Sequence, residues 1–253
     1  MPKFIGRFFA LGILCVTGAF GQQGTFGQIA FGGSWQTTFT LMNMSSANPA
    51  DVTLSFFGDD GSPLIAPVEG AGNVSSYVFT LPPNGAQNVV LSTSDSQTVQ
   101  GWASMSASGA TVRGQGSFRF QLPSGTISEA VVPLSIPGTP GCIFPIPPPP
   151  DPVILVPFDN TAGYVTSIAL ANTKSSDLSI AIEFDDQSNH QLVTDTLTLP
   201  AMQHTAFVST QKYPTLPGNK GILRIHASTA QLTVLGLLSN PTGAVTTVIP
   251  VTQ

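Results

Sequence analysis

Two adjacent aspartates, Asp59 and Asp60 in VTLSFFGDDGSPL, and a second pair, Asp185 and Asp186 in LSIAIEFDDQS, have the type and spacing that could do chemistry. Paired carboxylates can hold a divalent cation or divide acid and base duties between them. A calcium loop of the EF-hand type, however, spaces its acids at alternate positions and closes on a glutamate. Adjacent aspartates beside glycine, between two apolar runs, have the composition of a tight turn. Asp and Gly accept the backbone angles such a turn needs, and Asp can hydrogen-bond within it. We therefore read both pairs as turns. The alternative is a surface metal contact through Asp59, Asp60, Asp185, Asp186 and His190.

Other reactive side chains are sparse. Residues 26–136 contain no His, Lys or Cys, so this part of the chain has no His-based triad or His-ligated zinc site of its own. His190, His204 and His226 all lie further on, without HExxH or another dense ligand spacing. His226 shares with Arg224 a polar strand face opposite Leu223 and Ile225. GQGS at Gly114 is too short for a phosphate loop and lacks the strand-to-helix setting one requires. The expectation is a protein that is not an enzyme, with no catalytic residues and no cofactor.

Charge is scarce, at 8% of the 253 residues, and two of the eight basic residues sit at the start. In MPKFIGRFFALGILCVTGAFGQQG, Lys3 and Arg7 precede an apolar run from Phe8 to Phe20. Ala19 and Gly21 then place small residues before a cut ahead of Gln22. This is the pattern of a secretory signal over residues 1–21. The apolar run is shorter than the roughly 20 residues a spanning helix needs. Leu14 stands where a lipoprotein site at Cys15 would need a small residue. The expected destination is secreted, periplasmic or cell-surface.

The chain beyond residue 21 carries six Lys and Arg against 13 Asp and Glu, a net charge of −7. With no basic patch, neither nucleic acid nor anionic lipid is an expected partner, and no membrane insertion is expected after cleavage. Cys142 is then the one remaining cysteine, so any disulfide through it must be intermolecular.

The elements that hold these residues occur twice. WQTTFTLMN (Trp35–Asn43) answers to YVTSIALAN (Tyr164–Asn172), and the two aspartate pairs correspond. TLPPNG at Thr80 matches TLPAMQ at Thr198, and QGWASMSAS at Gln100 matches KGILRIHAS at Lys220. PSGTISEAVVP and PTGAVTTVIP close the copies. Landmarks recurring in one order with similar gaps indicate a tandem duplication. Between the copies lies a proline-rich segment, residues 137–152, whose composition favours extended polyproline II and a spacer role.

Within each copy the hydrophobic period is two. Val52, Leu54 and Phe56 alternate with Thr53 and Ser55, and Ile180, Ile182 and Phe184 with Glu183. Such alternation marks half-buried antiparallel strands, seven to nine per copy, with no helical stripe. The fold expected is all-β: two tandem antiparallel β-sandwich domains, immunoglobulin-like or jelly-roll-like, at residues 26–136 and 153–253.

The order W-x-T-T-x-x-L-x-N, VTLSFFGDDGSPL, QGWAS and EAVVP resembles a group of exported soil-bacterial proteins built from single or tandem β-sandwich modules. The likeness spans residues 22–253 and is clearer in the first copy, since Trp102 gives way to Ile222 in the second. It implies fold and export, and no reaction.

The functional expectation is a non-catalytic module for structural, adhesive or other contacts with an extracellular polymer or envelope protein. A carbohydrate-binding module is the alternative, and a hydrolase the remote one. The sugar reading rests on tryptophan. Trp35 is in phase with Phe39 and Leu41 and so points to the core. Trp102 is out of phase with Ala103 and Met105, which marks it as the solvent-facing ligand candidate.

Overall fold

Period-two alternation turns into strands throughout. The computed structural model describes residues 21–122, 124–136, 153–227 and 232–253. Apart from Gly21, the signal segment lies outside the described residues, as does the proline-rich linker with Cys142.

The first half contributes β1 (Gln22–Phe31), β2 (Trp35–Asn43), β3 (Ala50–Gly58), β4 (Ala66–Val68), β5 (Gly72–Val74), β6 (Ser76–Leu81), β7 (Ala86–Leu91), β8 (Val99–Ser108), β9 (Val112–Gln121) and β10 (Ile127–Ser135). The second half contributes β11 (Val153–Asp159), β12 (Val165–Asn172), β13 (Leu178–Asp186), β14 (Gln191–Leu199), β15 (His204–Val208), β16 (Lys220–His226), β17 (Leu232–Ser239), β18 (Val245–Val248) and β19 (Val251–Thr252). The first strand thus starts at Gln22, ahead of the boundary expected at residue 26. A single helical turn, α1 (Ser209–Lys212), was not legible as a stripe because it is only four residues long.

The protein is all-β with antiparallel sheets. The first half forms one ten-stranded sheet in the order β5-β4-β7-β2-β9-β10-β1-β8-β3-β6. Its end strands β5 and β6 are separated in the chain only by Ser75, and the sheet curls into a nearly closed barrel. The second half forms two sheets, β14-β13-β16-β11-β19 and β15-β12-β17-β18. The neighbours β6-β3-β8-β1 recur as β14-β13-β16-β11, and β7-β2-β9-β10 as β15-β12-β17-β18.

Recurrent side-chain bonds accompany the recurrent order. Thr37 Oγ1 donates to the Ala30 carbonyl at 2.7 Å and accepts from the Ala30 N–H at 2.9 Å. Thr166 makes the same pair of bonds with Asp159. Asn43 Nδ2 lies within hydrogen-bond distance of the carbonyls of Asn48, Leu81 and Pro82, and its Oδ1 accepts from the Ser45 N–H. Asn172 does likewise with Ser176, Leu199, Pro200 and Lys174. These buried polar groups satisfy backbone that no ladder reaches, as buried polar groups must. The repeated Thr and Asn are therefore scaffold. Gly101 and Gly221 share a further constraint: a Cβ at either would fall on the carbonyl oxygen of Phe57 or Asp185 in the neighbouring strand.

Two apolar clusters fill the halves. Phe26, Phe39 and Phe56 centre the first, with the Phe26 and Phe39 rings 4.7 Å apart. Phe158, Phe184 and Tyr213 centre the second, with 5.2 Å between the Phe158 and Phe184 centroids. The first cluster also takes in Ala169 of β12 and Leu235 of β17, so the halves share apolar surface. β12 is buried on both faces along Ile168–Asn172, which matches its loss of alternation in IALAN.

Candidate functional site: the junction of the two halves

The turn chemistry of the aspartate pairs is visible at the second member of each. In Gly58-Asp59-Asp60-Gly61 the Gly61 N–H donates to the Gly58 carbonyl at 3.0 Å, and Gly61 takes the positive φ of 79° that suits glycine. Asp60 Oδ1 accepts the Ser62 hydroxyl at 2.7 Å and the Ser62 N–H at 2.9 Å. Asp186 Oδ1 accepts the N–H groups of Ser188 and His190, and Asn189 closes that turn at φ 61°.

The first member of each pair does something else. Asp185 Oδ2 takes the Arg224 Nε–H at 2.7 Å across the sheet, where Arg224 also reaches Asn189. Asp59 reaches the other half of the molecule. Its Oδ1 lies 2.8 Å from His204 Nδ1, its Oδ2 accepts from Gln100 Nε2 at 3.1 Å, and its carbonyl accepts the His204 N–H at 3.1 Å. The His204 side chain is fully enclosed, while Asp59 is 47% exposed. His204 Nε2 is buried and has no partner. The pair bridges the two halves, and His204 also lines a smaller cavity of about 220 Å³ with Leu170, Leu197 and Thr205. The His190 ring stands 3.4 Å from Asp186 on the surface, and His226 stands 3.6 Å from Glu183. Among the described residues no three His, Cys, Asp or Glu side chains come together to hold a metal ion.

Trp102 corrects the expectation of a solvent-facing indole. It is 1% exposed, stacks on Phe57 at 4.4 Å and 16°, and donates its Nε1–H to the Met202 carbonyl at 2.9 Å. Period two correctly turns Trp102 away from its own core. The face it occupies is covered by the β14–β15 turn of the second half, and a buried indole offers no platform to a sugar. Met202 holds a positive φ of 61°, uncommon outside glycine and Asn, at the place where its carbonyl meets the indole. Asn84 has the same conformation in the matching TLPPNG turn.

Trp35 meets the other half of that expectation in part: it packs against the first apolar cluster, yet it is only partly buried at the start of β2. Phe120 stacks on it at 4.5 Å, and Phe118 meets it edge-on at 6.0 Å. The indole lines a cleft of about 510 Å³ between the halves. Gln28, Gln100 and Phe120 join Trp35 on one wall, while Ser167, Ala206, Phe207 and Leu237 belong to the other. Gln211 and Lys212 of α1 stand at the rim, with Lys212 Nζ 5.2 Å above the Phe207 ring. No Asp, Glu, His or Cys lines this cleft. Its chemistry is aromatic contact plus neutral hydrogen bonding. Beside it, burial and the bond to Asp195 keep the Tyr213 hydroxyl protonated far above the usual phenol range.

No protein-family model, curated protein or solved structure matches the chain.

Two expected results arise here. Asp59→Ala removes the acceptor of an enclosed imidazole and is expected to cost about 1–2 kcal/mol in chemical denaturation, the exposed half of the contact being screened. Asp60→Ala, confined to its own turn, should shift the midpoint less. An equal effect of the two would contradict the junction described.

The second concerns acid. Bonds from the Ser62 hydroxyl hold the Asp60 carboxyl below its ordinary value of 3.8, the Thr161 hydroxyl does so for Asp159, and the His190 N–H for Asp186. A carboxyl lowered in the folded state adds stability that is complete above the unfolded value and lost as pH falls through the folded one. Thermal melts should therefore show a Tm that holds down to about pH 4 and falls below it. Joint replacement of the three by Asn should flatten that fall.

Proposed function

We propose that this chain is a non-catalytic exported protein, a structural or adhesive module that works outside the cell or at the envelope. In this reading, residues 1–21 are a removed signal, and two tandem antiparallel β-sandwich domains are joined by the proline-rich segment 137–152. The recurrence of strand order, of the Thr37 and Thr166 bonds and of the Asn43 and Asn172 networks supports the duplication. Its partner is an extracellular polymer or envelope protein, and Cys142 is available for an intermolecular disulfide.

One observation carries the non-catalytic reading. The cleft of about 510 Å³ between the halves is walled by aromatic, amide, hydroxyl and aliphatic groups, with no carboxylate or imidazole in its lining. Ser167 and Ser239 therefore have no such base beside them in that lining, and Lys212, its one ionised side chain, stands over the Phe207 and Tyr213 rings. At the junction the Asp59 carboxylate and the His204 imidazole are held by each other, and Asp60 by the Ser62 hydroxyl and N–H.

The test is a pull-down of the full chain on intact cell envelopes and on insoluble polymers, with the supernatant assayed for released fragments. Retention without fragments supports the proposal. Release of soluble fragments from any polymer would sink it.

A further inference from the structure

We infer that the cleft between the halves binds a neutral, hydroxyl-rich chain, a segment of polysaccharide, with one sugar ring seated against Trp35. The inference rests on the non-catalytic reading above and names the ligand class of its cleft.

The indole is the first ground. Phe120 and Phe118 fix its orientation, so little conformational freedom remains to be lost when a ligand arrives. An aromatic face carries partial negative charge and attracts the weakly positive C–H groups that a pyranose ring presents on its flat side. Trp35 is the tryptophan that solvent can reach, since Trp102 is enclosed.

The amides are the second ground. Gln28, Gln100 and Gln211 each offer a donor and an acceptor, which is what a sugar hydroxyl presents in return. Gln100 is also oriented: its Nε2 is tied to Asp59, and Asp59 is tied to His204 across the junction. The contact that joins the halves thus also aims a cleft amide.

Charge is the third ground. Lys212 is the one ionised side chain of the lining, and it lies at the rim over Phe207. A polyanion would need several such cations along its path. A cleft of about 510 Å³ falls in the size range of sites that enclose a small ligand or a short stretch of a longer one.

The experiment titrates the full chain with neutral oligosaccharides (cello-, chito-, manno- and xylo-series), with oligogalacturonate as the acidic control and an apolar peptide as the third probe. Binding is followed by isothermal titration calorimetry, a readout that the Trp35 variants keep. The expected result is a saturable binding heat with at least one neutral series, absent with oligogalacturonate and with the peptide. Trp35→Ala should weaken that binding about tenfold or more, and Trp35→Phe less, because a ring remains. Gln211→Ala, at an exposed position on α1, should weaken it a few-fold and guards against loss of fold in the tryptophan variants. No response across the neutral series, a response to the peptide or the acidic oligomer alone, or undiminished binding in both Trp35→Ala and Gln211→Ala overturns the inference. If envelopes still retain the chain in those cases, the non-catalytic reading survives; fragment release would remove that reading instead.

Discussion

Trp102→Ala is expected to lower the unfolding free energy by about 3–5 kcal/mol, the loss typical of a buried tryptophan. Three interactions go together: the stack on Phe57, the bond from Nε1 to the Met202 carbonyl, and the filling of the space between β8 and the β14–β15 turn. Trp102→Phe keeps a ring for Phe57 but cannot donate, so it should recover much of the loss and leave the Met202 carbonyl without its partner. Denaturant titration of the three proteins checks this. If Trp102→Ala is nearly neutral, the indole is not enclosed by the second half.

Asn43→Ala and Asn172→Ala should each cost about 3 kcal/mol, because each truncation strands several backbone groups at once. An unsatisfied buried carbonyl or N–H costs on the order of 1–3 kcal/mol, and water entering the vacated space offsets part of the sum. The carbonyls of Leu81 and Pro82 lose their donor in one case, and those of Leu199 and Pro200 in the other. Leu would be worse than Ala at these positions, since it fills the space and excludes water. Similar losses at the two sites are expected because the bonding is the same in each half. A large effect at one and none at the other would contradict that equivalence.

Much of this architecture could be read from local pattern. Alternation at Val52–Phe56 and Leu178–Phe184 becomes β3 and β13, and the aspartate–glycine run becomes a turn at Gly58–Gly61. Residues shared by the two copies were legible as landmarks, although their work was not. A repeated Thr or Asn gives no sign of which carbonyl it will meet 7 or 38 positions away.

The junction was illegible for a stronger reason. Asp59 and His204 are 145 positions apart, and the absence of histidine from the first copy argues against an imidazole contact there only if each copy is taken alone. Period two assigns a residue to one of two faces, and it cannot say that a second body covers the outer face. That is why Trp102 reads as exposed and is buried. Trp35 is inward by phase and packs against the first cluster, but it stands at the first position of β2, so part of it also lines the cleft. One signal was present in the sequence. The run Ile168–Ala171 lacks polar residues at alternate positions, as a strand covered on both sides should.

Isothermal titration calorimetry of the full chain with a polysaccharide that retains it tests the account most directly, because one trace separates binding from turnover. The account predicts heats that shrink to the dilution level as the cleft fills, with the baseline restored after every injection and the signal strongly reduced in Trp35→Ala. A sustained heat flow after each injection, ending only when the polymer is consumed, would contradict it.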